Sequence, residues 1–282
     1  MTANTRTRVL ITGAAGGMGR ACTRLFGMTH DLVLNDVAGS ALESFNAELE
    51  RDGYTVVGSA AGDLCDEAVL SSLIGFLSRG QPFVIVHTAG VSPSQADWKT
   101  IMRVNLLGTA KLVQAAEPLV VAGSVAILIA STAGHVVPPL PDAESVLAAP
   151  LEPDLIDRIA PFVEAMAAHA GPAGACGVSY SLSKKAVLQL CERKVIDWGR
   201  RGGRIVTISP GLILTPMGRQ ELEKTPGAAE VLNATPVGRA GTAADIAMTA
   251  RFLASSEAAF ITGSDVRVDG GSVSAMRQKT TT

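Results

Sequence analysis

The stretch GVSYSLSKKAV, residues 177–187, places Tyr180 four residues before Lys184. On a helix, residues four apart share a face, so the phenol would stand beside an ammonium group. A cation at that range favours the phenolate and lowers the phenol pKa, which is the chemistry of a proton-transfer couple. An exposed surface pair has the same spacing, so the pair alone leaves both readings open. The chain has only one other tyrosine, Tyr54. Lys185 lies about 100° further round such a helix and is expected to be a surface charge.

A second group of residues points to phosphate chemistry. The segment RVLITG runs into TGAAGGMGRA, which sets Gly13, Gly17 and Gly19 at a turn between an apolar run and a helix-like stretch. Glycines there let the backbone approach a pyrophosphate, and the helix start offers free N–H groups and a positive dipole end. The spacing is wider than the usual dinucleotide fingerprint, and a tight strand–helix joint is the alternative. The next apolar run ends in Asp36, placed to accept hydrogen bonds from ribose hydroxyls and to repel a 2′-phosphate. No Arg or Lys stands in NDVAG or in the middle of the glycine turn. These residues favour NAD(H) over NADP(H); the other reading of Asp36 is a helix N-cap.

These residues need a frame to position them. Apolar runs at 8–13, 31–36, 55–60, 83–89, 125–131, 204–209 and 265–270 read as strands. Helix-like segments near 17–28, 39–52, 66–78, 97–117, 179–200 and 242–255 alternate with them. Strands uninterrupted by polar residues belong to parallel sheets covered on both faces. Regular alternation predicts an α/β fold, a Rossmann-type doubly wound sheet of about seven strands. No repeat or low-complexity linker appears, so residues 1–282 read as one dinucleotide-binding domain.

Composition narrows the function classes. The 24 basic and 26 acidic residues give a net charge of −2 without a basic run, which argues against a nucleic-acid partner. The four cysteines show no metal spacing and read as thiols of a reducing compartment. His30 and His169 have no partners at ligand spacing, and no metal is expected. Residues 118–141 lack charged side chains, yet glycines and prolines break them, so a buried strand fits better than a membrane span. The N-terminus lacks the apolar stretch of a secretory signal. A cytoplasmic, membrane-free protein is expected.

With these pieces in order, the chain resembles the short-chain dehydrogenase/reductase family over nearly its whole length. The matching elements are TGAAGGMG, GDL at Asp63, HTAG at 87–90, VNLLG around Asn105, IASTAG with Ser131, YSLSK, and SPGLILTPM at 209–217. The resemblance implies a catalytic set of Asn105, Ser131, Tyr180 and Lys184. Tyr180 would be the general acid/base, Ser131 would steady the substrate oxygen, Lys184 would also hold the nicotinamide ribose, and Asn105 would organise a water for proton return. Cofactor contacts carried over from the family are Gly13, Gly17, Met18, Gly19, Asp36, Asp63, Leu64, Ala89, Gly90, Tyr180, Lys184, Pro210, Gly211, Ile213 and Thr215. Asp63 would meet the adenine and Thr215 the carboxamide; an N-cap and a turn hydroxyl are their structural alternatives.

Two departures accompany the resemblance. His87 and Thr88 stand where the family commonly has asparagines, and His87 reads as a packed strand residue; His135 is a candidate for the substrate mouth. Also, 49 residues separate Ser131 from Tyr180, far more than usual. Within the extra segment, about 137–175, Ile156, Ile159, Phe162, Val163 and Met166 recur at helical spacing, which predicts a helical insertion beside the active site or over the Tyr-bearing helix. That insertion is similar to the bacterial 3α-hydroxysteroid dehydrogenase/carbonyl reductase subgroup. It implies a small apolar alcohol or ketone, such as a 3-hydroxysteroid, and an altered homodimer or homotetramer. The segment after Gly211 reads as a mobile apolar lid, with Leu212, Leu214 and Met217 either lining a pocket or plainly packed. A catalytically silent dinucleotide-binding sensor or scaffold is the competing function, but it would be marked by loss of Tyr180 or Lys184. An epimerase would need a larger C-terminal substrate domain.

Overall fold

The computed structural model describes residues 6–77, 79–170, 174–224 and 228–279. Parts of the expected insertion (171–173) and of the expected lid (225–227) lie outside the described residues, as do the N-terminal residues 1–5. The first half of the chain alternates β1 (Arg8–Thr12), α1 (Gly17–Gly27), β2 (Asp31–Asp36), α2 (Gly39–Arg51), β3 (Val56–Ala61), α3 (Glu67–Gly75) and β4 (Phe83–His87). Then come α4 (Trp98–Met102), a π-helical segment Arg103–Gly108, α5 (Thr109–Ala116) and β5 (Val125–Ile129). The insertion forms α6 (Pro141–Leu147) and α7 (Leu155–Ala167), and α8 (Gly174–Arg200) follows. The chain continues with β6 (Arg204–Pro210), α9 (Pro216–Lys224), α10 (Ala228–Asn233), α11 (Ala243–Ala254), β7 (Asp265–Val268) and α12 (Ser272–Lys279).

The strands form one seven-stranded sheet in the order β3-β2-β1-β4-β5-β6-β7, every pair parallel. Successive side chains of a strand point to opposite faces. In β1, Val9 and Ile11 pack with α1, α2 and α11 residues such as Phe26, Phe45 and Ile246. Leu10 between them packs on the other face with α3, α5 and α8 residues such as Leu73, Leu112 and Trp198. Both faces are therefore dry, which is why the strand segments read as unbroken apolar runs. The strand order reverses between β1 and β4, and ligands of such sheets bind outside the carboxyl ends at that switch point. Thr12 is in register with both Asn35 and His87, so the ends of the central strands stand level.

The insertion carries a third apolar cluster. Ala143, Leu147, Leu155, Ile159 and Val163 of α6 and α7 close over Met102, Leu106, Val178, Leu182 and Ala186. It covers the outer flank of α8 and α4. Glu144 of α6 fastens it further, meeting Lys185 at 2.6 Å and Gln189 at 3.0 Å. Lys185 also donates to the Pro138 carbonyl, which corrects its reading as a free surface charge. The segment after Gly211, read as a loop, instead contains α9 and α10. Their sequence is polar and interrupted by Pro and Gly, so it shows no apolar stripe for a helix to be read from.

Candidate active site

Helix α8 brings Tyr180 and Lys184 to the same side, with the lysine Nζ 5.8 Å from the phenol ring centre. Lys184 is buried and donates to the carbonyl of Ile129, the last residue of β5, at 2.9 Å. Just past that strand, Ser131 opens a 3₁₀ turn, its Oγ accepting from the Ala133 N–H at 3.1 Å. The turn lies so close to α8 that a Cβ on Gly134 would meet the Lys185 nitrogen at 2.8 Å. Gly134 therefore lets the Ser131 turn seat against the helix, and Ser131 and Tyr180 line one cleft. Nothing in the local sequence around Gly134 indicated this approach, because the contact is with a helix far along the chain.

Asn105 lies in the π segment and is buried. Its Oδ1 accepts from the Val91 N–H at 2.9 Å and its Nδ2 donates to the Val91 carbonyl at 3.0 Å. The extra residue of a π segment re-aims side chains locally, and it breaks the single helix expected over 97–117. Asn105 stands behind Gly90, where an added Cβ would lie 3.1 Å from Asn105 Oδ1 and 3.5 Å from Lys184 Nζ. Asn105 thus clamps the loop after β4 and does not itself line the cleft. His87 is packed in β4 between two hydroxyls, its Nδ1 2.7 Å from Thr12 Oγ1 and its Nε2 2.7 Å from Thr109 Oγ1. Thr109 gives its own proton to the Asn105 carbonyl at 2.7 Å, so His87 must donate from Nε2 and accept at Nδ1. Burial, helped by Lys184, pushes its pKa down to about 3 and keeps it neutral.

The glycine turn is a cradle that side chains would fill. A Cβ on Gly19 would sit 2.0 Å from the Gly13 carbonyl oxygen, and one on Gly17 would sit 2.6 Å from Thr215. Gly13 has φ +65°, and a Cβ there would meet the Ala89 nitrogen at 2.8 Å, which a side chain adopts only with strain. The turn opens onto the α1 N-terminus, which has no side-chain cap of its own. These features fit a dinucleotide pyrophosphate held by backbone N–H groups. Asp36, at the end of β2, accepts from Ala15 N–H at 2.9 Å and Ala38 N–H at 3.0 Å. Each carboxylate oxygen keeps a lone pair for a further donor. Arg20 donates to the Ala15 carbonyl of the turn at 3.1 Å, pairs with Glu48 at 3.1 Å and lies over the Phe45 ring.

Asp63 accepts from Cys65 N–H at 2.8 Å and pairs with Arg103 at 3.1 Å. The N-cap of α3 is its neighbour Asp66. Leu64 is buried in the core beside Gly108. Ala89 N–H reaches Thr12 Oγ1 at 3.4 Å. Thr215 combines its two readings: its hydroxyl accepts from Gly218 N–H at 3.2 Å and it also lines the cleft. His135 does not line the cleft. It binds Asp265 at 2.8 Å and Ser209 at 3.1 Å, tying the Ser131 turn to β6 and β7.

An open cleft brings several of these parts together. Ser131, Tyr180 and Lys184 share it with Met18, Gly90, Pro210, Gly211, Ile213 and Thr215. Met217 lines it too, whereas Leu212 faces a separate pocket beside Val268 and Leu214 is partly exposed. No described residue of the insertion reaches it. Several lining residues were not anticipated, Val91, Ile129, Ala130, Gly218 and Glu221 among them, and Glu221 of α9 is the one of these that ionises. Its position in a segment read as a lid loop gave no signal, because only the α9 helix turns it inward.

Glu221 alters the electrostatics expected of the Tyr–Lys pair. Burial, with the Glu221 charge adding to it, pushes Tyr180 up to about 12, and the Ser131 hydrogen bond only partly opposes them. Burial pushes Lys184 down to about 8 although Glu221 pulls the other way. The expected lowering of the phenol pKa by Lys184 is thus reversed among the protein's own groups. The physical reason is desolvation, which disfavours both charged forms.

Comparison with known proteins gives consistent results. A family model described as short chain dehydrogenase matches residues 7–141, and one described as enoyl-(acyl carrier protein) reductase matches residues 162–273. A short-chain dehydrogenase/reductase of Alternaria brassicicola, bsc3, is 29% identical, over 96% of this chain and 97% of its own. Among solved structures, a short-chain dehydrogenase/reductase (glucose/ribitol dehydrogenase) from Brucella melitensis is 25% identical with a TM-score of 0.73, covering 95% of this chain and 97% of its own. The 3-alpha-hydroxysteroid dehydrogenase from Pseudomonas sp. B-0831, solved with NADH, is 25% identical with a TM-score of 0.71, covering 97% of this chain and 99% of its own.

Proposed function

The chain belongs to the short-chain dehydrogenase/reductase family, and on that premise we propose that it is an NAD(H)-dependent oxidoreductase interconverting an apolar secondary alcohol and its ketone. The observation that carries this reading is the meeting of Ser131, Tyr180 and Lys184 in one cleft that also contains Gly90 and Thr215. A bound nicotinamide dinucleotide supplies or accepts the hydride at the reacting carbon. The protein's part is proton and charge. Tyr180 exchanges a proton with the substrate oxygen, and Ser131 donates a hydrogen bond to the same oxygen as charge develops on it. Lys184, held by the Ile129 carbonyl, would also bind the nicotinamide ribose. Asn105 fixes the loop that carries Gly90 and returns protons through an organised water. The glycine turn and the α1 N-terminus would hold the pyrophosphate, Asp36 the adenosine ribose, and Asp63 with Leu64 and Ala89 the adenine side.

Asp36 and the absence of a free cation at the glycine turn support NAD(H) over NADP(H). An apolar substrate such as a 3-hydroxysteroid is supported by the likeness to the Pseudomonas hydroxysteroid dehydrogenase, by the insertion, and by Met217, Val91 and Ile213 in the cleft. The insertion covers the flank of α4 and α8, so a second copy in a homodimer or homotetramer would pair through another face. Among the described residues no helix is long and apolar enough to cross a membrane, in keeping with work in the cytoplasm. The test is NADH production from a panel of hydroxysteroids and simple secondary alcohols, beside the Tyr180→Phe variant. Steroid oxidation lost in the variant supports the whole reading. Turnover of small alcohols alone removes the steroid, and activity surviving in Tyr180→Phe removes the catalytic assignment.

A further inference from the structure

Backbone contacts hold the two sides of the turn that carries Ser131. Ala130 N–H donates to the Ile208 carbonyl at 2.8 Å, joining the start of the turn to β6, and Gly134 lies against the α8 backbone. The far end is held by a side chain: His135 Nε2 stands 2.8 Å from Asp265 Oδ2 and 3.1 Å from Ser209 Oγ. Arg277 of α12 also reaches the His135 carbonyl at 3.3 Å, in an exposed contact. Asp265 is itself fixed by strand register, opposite Thr207 on β6. Thr207 and Ser209, two residues apart, share a face, and both hydroxyls donate to Asp265 Oδ1, at 2.7 and 2.9 Å. With the Ser209 proton directed there, and a carboxylate able only to accept, His135 must donate from Nε2. Both hydroxyl residues are buried and the His–Asp pair partly so, where a hydrogen bond to a charged acceptor is strong.

We propose that His135 is a positioning residue, which through Asp265 holds the Ser131 hydroxyl where the substrate oxygen meets it. The inference rests on the oxidoreductase reading for the role of Ser131 and adds what keeps that serine in place. His135 ends the 3₁₀ turn Thr132–His135 that Ser131 caps. The bonds of the turn run back to Ser131, from Ala133 N–H to its Oγ and from Gly134 N–H to its carbonyl at 3.0 Å. A 3₁₀ turn has poorer hydrogen-bond geometry than an α-helix, so it adds little rigidity of its own. Release of its far end would let Ser131 shift, and a misplacement of about 1 Å in an active site costs about a hundredfold in rate. The cofactor side is insulated from that release. Pro210 and Gly211, next after Ser209, line the cleft. Gly211 N–H is bonded to the Val268 carbonyl at 3.0 Å, and Ser209 donates to Asp265 without help from His135.

The test compares two amide side chains of different reach. Glutamine can present an N–H near the place of His135 Nε2, whereas asparagine ends near Nδ1. His135→Asn should speed hydrogen exchange at the Ala133 and Gly134 amides, read by NMR, about tenfold or more as local opening becomes easier. His135→Gln should restore slow exchange. In turnover, His135→Asn should lower kcat about tenfold or more, with the NADH dissociation constant unchanged, and His135→Gln should recover most of it. Ser131→Ala should then cost less in the His135→Asn background than in the parent, because residues that act through one group are not additive. Exchange in His135→Asn equal to that of the parent overturns the proposal, as does a glutamine variant as impaired as the asparagine one. Equal Ser131→Ala factors in the two backgrounds overturn it too. The exchange measurement needs no turnover, so its failure is distinct from failure of the oxidoreductase reading, which Tyr180→Phe activity alone decides.

Discussion

At the cofactor end of the cleft, Gly13 and Gly19 bring backbone against backbone and Gly17 lies against the Thr215 side chain, all within distances that no Cβ could share. At the substrate end, α9 stands on a threonine cap and presents side chains, among them Met217 and Glu221. The first end is positioned by strand register and tolerates almost no added atom. The second is positioned by one helix start, and its chemistry lies in which side chains that helix carries. Substitutions at the two ends should therefore fail differently: the first through stability and cofactor binding, the second through pH dependence and substrate preference.

The largest effect should come from the residue between the two ends. Tyr180→Phe is expected to lower turnover by about 10²–10⁴-fold, with NADH binding, measured by fluorescence, unchanged. Weakened NADH binding would instead place Tyr180 on the cofactor side of the comparison. Next, Gly19→Ala should cost about 1–3 kcal/mol of stability through overpacking, together with loss of NADH binding, read by thermal unfolding and titration. Met217→Ala, at the other end, should raise KM for apolar substrates while shifting stability much less. If the two variants behaved alike, the contrast would be lost.

Asp36→Ala should narrow the preference for NAD(H) over NADP(H) by on the order of tenfold, about 1.4 kcal/mol, measured as the ratio of dissociation constants. The smallest effect belongs to the insertion's fastening. Glu144→Gln should destabilise by at most about 1 kcal/mol, because the pair with Lys185 is partly solvated. The hydrogen bond from Lys185 is the main cause that lowers the Glu144 pKa below its ordinary 4.5. Its contribution is therefore present above that ordinary value and lost as pH falls through the lowered one. Denaturant midpoints of the parent and Glu144→Gln should converge in acid; a constant gap would assign the loss to packing.

Much of the frame was legible because burial on both sheet faces leaves a trace in every strand. Val9, Leu10 and Ile11 are all apolar since each face needs them, and parallel strands so written must be joined by helices. Glycines at 13, 17 and 19 were legible for a similar reason: a turn that approaches a helix start this closely excludes other residues. Tyr180 and Lys184 were a pair by helical spacing alone.

Other features had no local trace. The π segment at Arg103–Gly108 re-aims Asn105 onto Val91 through contacts from a different loop. Lys185 looked solvent-facing until Glu144 of the insertion met it, and His135 was drawn from the cleft by Asp265 of the last strand. By itself the sequence determined the alternating sheet, the glycine cradle and the spacing of the reactive pair, because these depend on short-range periodicity and backbone sterics. Only the tertiary structure decided the charge that Tyr180 faces. Glu221 reaches the cleft when α9 seats on Thr215 and Ile213, and there desolvation first, with the Glu221 charge second, raises the phenol pKa.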